Sequence, residues 1–350
     1  MIFSLAGHKK RYMTAESVKN HVSYISFNSK KIKEINLSDN VFYPEACDLL
    51  FSAIKKCTNL KKVTLSRIFS GLQPEVMQKS FKKIILCLSA PTLTHFDISQ
   101  NAISCDFPEC FVNFLKQLEN LRVIRIDDCG LGAIGIKVLF ECLNTLKNKK
   151  NLEVIDISKN RITKGAHSVG EIIKDFVNLE EIYIQYNNID GDTLVSFLKN
   201  LAKLNLTKLD LRDNILNLEG CALLGKYFVT WDLNDLRLSD CLIDDECLKA
   251  FTSEANATKN ECFFAGGFYK RLIGMTLDLS NNKISTEGLE YLKDFFENNK
   301  MKKILLYNNE FDDCSAIKEE LIKKGCEVCD CESEESSEVC DSLVKKMEAL

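Results

Sequence analysis

The chain has 350 residues, 45% of them apolar and 27% charged, with 46 basic against 50 acidic side chains and a net charge of -4. That is enough for one extended domain or two compact ones, and the near balance of charge excludes a broad basic face for a nucleic-acid backbone. No stretch has the length of an apolar membrane span, and Met1–Tyr12 has too short an apolar run for a secretory signal, so the 16 cysteines read as reduced intracellular thiols rather than a disulfide framework.

In chain order, residues 1–30 read as an N-terminal cap over the exposed end of a repeat core. The first clear repeat starts at Ile32 (I-K-E-I-N-L-S-D-N-V-F) and matches the leucine-rich-repeat pattern L-x-x-L-x-L-x-x-N-x-L, with Asn40 at the ninth position. Repeats follow from Leu60 (Ile68 at the ninth position), Leu93 (Asn101), Leu121 (Cys129), Leu152 (Asn160), Leu179 (Asn187), Leu206 (Asn214), Leu233 (Cys241), Gly274 (Asn282) and Met301 (Asn309). The clearest is Leu152–Ile162, L-E-V-I-D-I-S-K-N-R-I. Leu152, Ile155 and Ile157 point into a core from a short strand and the turn before it. The Asn side chain is expected to satisfy backbone groups where the strand ends, out of reach of water. One such unit cannot bury its own apolar face, so its neighbours must stack on it.

Successive starts lie 27 to 41 residues apart, which leaves room for a helix after each strand. Ile136, Leu139, Phe140 and Leu143 stand at helical spacing, as do Leu194, Phe197, Leu198 and Leu201. The expected fold class is therefore α/β, a leucine-rich-repeat solenoid of about ten repeats over residues 31–325. Parallel strands would line the concave face of a horseshoe and helices its convex face. The longest step holds an insertion near Ser253–Arg271, expected as a surface loop. Residues 326–350 read as a short acidic tail without a packed core.

An active site is weakly indicated. His95, Asp97 and Ser99 alternate along one strand and share a face, but polar residues are the default at the second, third, fifth, seventh and eighth positions, all expected in solvent. No oxyanion hole is legible beside them. Cys326, Cys329 and Cys331, with Cys340 further on, are candidate metal ligands with the spacing of half a zinc site, with no second pair or histidine to complete it. Cys129 and Cys241 read as core residues standing in for Asn. No metal or cofactor is expected. The strand face mixes Asp39, Asp97, Asp127, Asp128, Asp156, Asp210, Asp213 and Asp240 with Arg67, Arg125, Lys159, Arg212 and Arg237, a surface that suits a folded protein partner.

Several stretches resemble the Ran GTPase-activating protein family. Phe3–Gly7 (F-S-L-A-G) is similar to that family's opening segment. Leu65–Gly71 (L-S-R-I-F-S-G) is similar to its S-D-I-F-T-G-R, and Leu209–Asn214 (L-D-L-R-D-N) and Leu236–Leu242 (L-R-L-S-D-C-L) to its late repeats. The resemblance implies a GTPase activator, not itself an enzyme, acting in nucleocytoplasmic transport on the GTP-bound form of a Ran-type small GTPase, with a Ran-binding protein as a further partner. The implied location is the cytoplasm, perinuclear or shuttling to the nucleus, and the implied partners include no nucleic acid and no membrane.

In that family an Asn at a strand end orients the GTPase's own catalytic Gln, which positions the attacking water. Two departures stand at the matching places: Leu72 follows the F-S-G segment where the family has Arg, and Asp128, in D-D-C-G-L-G, replaces the Asn of H-N-N-G-L-G. The resemblance thus singles out Arg67, Leu72, Gln73, Asp127, Asp128 and Lys159 as a partner-binding rim, with Arg67 and Lys159 facing acidic surface and Asp128 nearest the Gln. The alternative is a GTPase-binding or general protein-interaction scaffold without activator activity.

Overall fold

The computed structural model describes residues 1–88, 91–105, 107, 109–264, 274–297 and 301–331. At each of the ten repeats the third to fifth positions form a three-residue strand, and the fourth-position residue points into the core. Alternation along so short a strand turns the third and fifth side chains to the opposite face. The chain is an α/β leucine-rich-repeat protein, and its contacts divide it into two compact units, Met1–Leu179 and Glu180–Leu350.

The first unit contains β1 (Ile2–Ser4), β2 (Arg11–Tyr12), α1 (Ala15–Asn28), β3 (Glu34–Asn36), β4 (Val41–Phe42), α2 (Pro44–Ile54), β5 (Lys62–Thr64) and α3 (Pro74–Cys87). It continues with β6 (His95–Asp97), α4 (Glu109–Lys116), β7 (Val123–Arg125), α5 (Gly132–Leu143), β8 (Val154–Asp156) and α6 (Gly165–Ile173). Strands β1, β3, β5, β6, β7 and β8 pair in that order, all parallel, with Phe3, Ile35, Val63, Phe96, Ile124 and Ile155 in one row. The short β2 and β4 pair beside them. Behind the strands, Phe81 packs on Phe111 (5.2 Å between ring centres) and Phe96 on Phe114 (5.1 Å).

The second unit contains β9 (Glu181–Tyr183), α7 (Gly191–Asn200), β10 (Lys208–Asp210), α8 (Leu218–Phe228), β11 (Asp235–Arg237) and α9 (Asp245–Phe264). After these come β12 (Thr276–Asp278), α10 (Thr286–Glu297), β13 (Lys303–Leu305), α11 (Ser315–Lys323) and β14 (Glu327–Cys329). Its strands pair in parallel in chain order, with Ile182, Leu209, Leu236, Leu277, Ile304 and Val328 in one row. Local signals start the helices: Pro44 and Pro74 hold the first positions of α2 and α3, where their missing N–H costs nothing. The side chains of Asp190 and Asn217 cap α7 and α8 by accepting from Thr193 N and Gly220 N.

Residues 1–30, read as a cap, hold two strands and a helix: β1 pairs with β3, β2 with β4, and α1 buries Val18 and Ile25. Two features differ from the sequence reading. At the other end the sheet continues past residue 325, because β14 adds to β13 with Val328 and Cys329 buried. The expected loop at 253–271 is helical in its first half, since α9 runs on to Phe264. Phe251, Thr252, Ala255 and Thr258 are buried at helical spacing, and neither Gly nor Pro interrupts the run before Gly266. The rest of the insertion, 265–273, and the acidic tail from 332 lie outside the described residues.

Candidate functional site

The ninth-position asparagines set the geometry of the strand ends. Asn160 is fully buried; its amide donates to Ile126 O (2.7 Å), Ile157 O and Ser158 O (both 3.0 Å), and its carbonyl accepts from Cys129 N and Leu131 N. Asn101 makes the same set with Leu65 O, Ile98 O, Ser99 O, Ile68 N and Phe69 N. Every polar atom of the side chain is used, the only arrangement that makes a buried amide inexpensive. Cys129 stands in its own repeat as the expected core residue, its thiol donating to Ile98 O (3.3 Å).

The residue before each of these positions turns the chain out of the strand in a left-handed conformation. In the first unit these are Asp39, Arg67, Gln100, Asp128 and Lys159, with φ of 50° to 58°. Their backbones form a ladder, Arg67 N donating to Ser99 O, Gln100 N to Asp127 O and Asp128 N to Ser158 O. The strands beneath are about 4.8 Å apart, so the five side chains form a regular row at the sheet's end. Three residues singled out from the sequence, Arg67, Asp128 and Lys159, are thus equivalent and exposed. Arg67 reaches Asp39 on one side (3.1 Å) and donates to Gln100 Oε1 on the other. The sequence reading left Gln100 out, although its eighth position in the repeat carries the same signal as Arg67.

Leu72 and Gln73 lie in a different place, in the loop from β5 to α3. The left-handed Gly71 (φ 70°) leads into them, Leu72 N donates to Phe69 O (3.0 Å), and the exposed Gln73 is the N-cap residue of α3. Leu72 is half-buried.

Asp127 is half-buried beneath the row, among Asp97, Asp128 and Asp156. Burial, with Asp97 and Asp128 nearby, raises the pKa of its carboxyl. Burial also raises that of Asp97. Burial and the neighbouring Asp127 push Asp156 up to about 7, while Ser158 donates to it from its amide (3.1 Å) and its hydroxyl (2.7 Å). The seventh-position serines were expected in solvent, yet Ser99 and Ser158 are buried because they turn back onto the preceding carboxylate.

That arrangement rules out a relay through His95, Asp97 and Ser99. His95 Nδ1 lies 2.9 Å from Thr94 Oγ1, Asp97 accepts from Ser99 N, and the Ser99 hydroxyl accepts from Asp127 N. Among the described residues no group of three or more His, Cys, Asp or Glu is placed to hold a metal ion, Cys326, Cys329 and Cys331 included. The row can present alternating charge to a folded surface; it has no nucleophile paired with a base.

These strand ends and their buried asparagines define the class, a leucine-rich-repeat protein, and a family model described as "Leucine Rich repeat" matches residues 275–293. More particularly, the chain is similar to Ran GTPase-activating proteins. It is 24% identical to Ran GTPase-activating protein 1 of Saccharomyces cerevisiae over 282 residues, 72% of this chain and 67% of that protein. It is 26% identical to Ran GTPase-activating protein 1 of Xenopus laevis over 172 residues, 45% of this chain and only 30% of that protein. Among solved structures, the yeast Rad7–Elc1 complex matches with a TM-score of 0.63 at 13% identity, covering 95% of this chain and 75% of that one, a likeness of fold alone.

Proposed function

We propose that this protein binds a Ran-type small GTPase in its GTP-bound form and stimulates GTP hydrolysis, acting from the cytoplasm in nucleocytoplasmic transport. The observation that carries the proposal is the strand-end row of the first unit, where Arg67, Asp128 and Lys159 stand exposed at equivalent positions. The similarity to Ran GTPase-activating proteins supports it. Arg67 and Lys159 face acidic surface on the GTPase, and Asp128 lies nearest its catalytic Gln. An ionised Asp accepts a hydrogen bond from the Gln amide but cannot donate one, and it adds negative charge near an anionic transition state. At an effective dielectric near 20 that costs on the order of 1–4 kcal/mol, a tenfold to several-hundred-fold loss of rate. A Ran-binding protein is a further partner of the same complex.

A second reading, binding without activation, rests on a specific observation. Leu72 is half-buried where the family has Arg, and the Arg67 guanidinium is already engaged by Asp39 and Gln100. Single-turnover GTP hydrolysis by Ran, with and without this protein, separates the two. Acceleration that rises roughly tenfold or more in Asp128→Asn supports activation through this row. Binding without acceleration in either form leaves a GTPase-binding protein. Absence of both binding and acceleration removes the GTPase as partner.

A further inference from the structure

In the first unit, the loop from β1 to β2 contains His8, Lys9, Lys10 and Arg11, all exposed. The backbone of this basic loop is fixed at the strand ends. Gly7 (φ 72°) and Lys9 (φ 54°) are left-handed. Gly7 N donates to Ser38 O (3.1 Å), Lys10 N to Asn40 Oδ1 (3.1 Å) and Val41 N to Lys10 O (2.8 Å). Arg11 then opens β2, opposite Val41 of β4.

The Arg11 side chain crosses to the loop that carries Leu72 and Gln73. Its Nη2 donates to the Tyr43 hydroxyl (2.6 Å), and the guanidinium lies 5.5 Å from the centre of the Tyr43 ring. Its Nη1 lies against Gly71, 3.7 Å from where a Cβ on that glycine would stand. Tyr43 and Gly71 thus hold one guanidinium beside an exposed turn. Among the described residues no carboxylate pairs with it. Arg67 differs, because Asp39 and Gln100 already engage its guanidinium. Leu72 and Gln73 carry no charge, so Arg11 is the cation of this loop.

We infer, on the GTPase reading above, that Arg11 is a further partner-binding residue and grips a surface carboxylate of the GTPase beside residues 71–73. An arginine fork matches both oxygens of a carboxylate, and one already held by a tyrosine loses little freedom on binding. Lys9 and Lys10 add positive charge next to it. Residues 1–40 hold seven basic and three acidic side chains in a chain whose net charge is -4, so this part of the first unit favours an acidic surface.

The test is the affinity of the full-length protein for Ran loaded with a non-hydrolysable GTP analogue. Arg11→Ala should weaken binding by about tenfold or more at low salt, and its affinity should fall less steeply with added salt than that of wild type. Arg11→Lys keeps the charge but loses the fork, and should regain only part of the affinity. Lys31→Ala removes an equal charge from an exposed position before β3 and should bind as wild type does. The inference is overturned if wild type binds and Arg11→Ala binds equally well, or if Lys31→Ala weakens binding as much. It is also overturned if Arg11→Ala weakens binding with an unchanged salt dependence and a lowered urea midpoint, since Arg11 then only pins the loop. Inorganic phosphate should compete no better than chloride at matched ionic strength; specific competition would assign Arg11 to a phosphate and overturn the carboxylate. A wild-type protein that binds no Ran removes the GTPase reading itself, and the role of Arg11 with it.

Discussion

At the scale of single residues, the strand face of the first unit stores charge that the fold disfavours. Asp156 shows it most clearly. Its carboxyl is pushed up to about 7 from an ordinary value of 3.8, by burial first and by Asp127 second. A folded-state pKa above the unfolded one means that the native protein binds more protons between these values. This contribution to stability is therefore present below about pH 4 and is lost as pH rises towards 7. Asp156→Asn keeps an oxygen to accept from Ser158 N and Oγ but removes the titration. Relative to wild type it should gain stability as pH rises, by at least about 1 kcal/mol at pH 8, with little gain near pH 4. Urea unfolding across that range checks the sign, and a gain confined to low pH would contradict the burial argument. In the second unit the strand-face charges are instead neutralised in place, Arg212 by Asp210 (2.8 Å) and both Lys208 and Arg237 by Asp235 (2.7 and 3.2 Å).

At the scale of elements, each helix is positioned by its repeat, and the spacing between helices depends on a few small residues. Gly225 is the sharpest case, since its missing Cβ lets α8 rest on the Phe251 carbonyl at the middle of α9. Ala is favoured over Gly in an isolated helix by about 1 kcal/mol, but here it must push two packed helices apart. Gly225→Ala should destabilise the protein by about 1–3 kcal/mol net, read as a lower urea midpoint. A raised midpoint would mean that the helices do not meet as described. The helices α5 and α7 follow the spacing of Ile136–Leu143 and Leu194–Leu201. The extension of α9 escaped notice because the repeat pattern ends where the helix continues, so its buried face was assigned to an insertion.

At the scale of the whole molecule, a repeat protein is held by contacts between neighbours, and each end must be closed. Residues 1–30 close one end. Leu5 N donates to Asn36 O (2.8 Å), Asn40 donates to Leu5 O (2.7 Å), and α1 lies against α2 with Val18 and Ile25 buried. Removal of residues 1–30 should leave the edge of β3 and the apolar face of α2 in water. We expect Tm to fall by on the order of 10 °C, measured by circular dichroism against the full-length chain. An unchanged Tm would mean that this segment adds nothing to the core.

The sequence by itself determined the repeat, the place of the strand in each of the ten repeats and the identity of the buried asparagines. These follow from alternation and spacing within a dozen residues, and each repeat restates them. The family resemblance singled out Arg67, Asp128 and Lys159, and each stands at the eighth position of its repeat, before Ile68, Cys129 and Asn160. The sequence did not reveal β1 and β14, which lack the asparagine turn and are recognisable only by the strands they pair with. Nor did it show that Gln100 and Asp39 flank Arg67, or that Ser99 and Ser158 are buried. Each of these depends on contacts between residues 28 or more apart in the chain, or on the burial those contacts produce. Such distances are set by stacking one repeat on the next, and only the tertiary structure decides them.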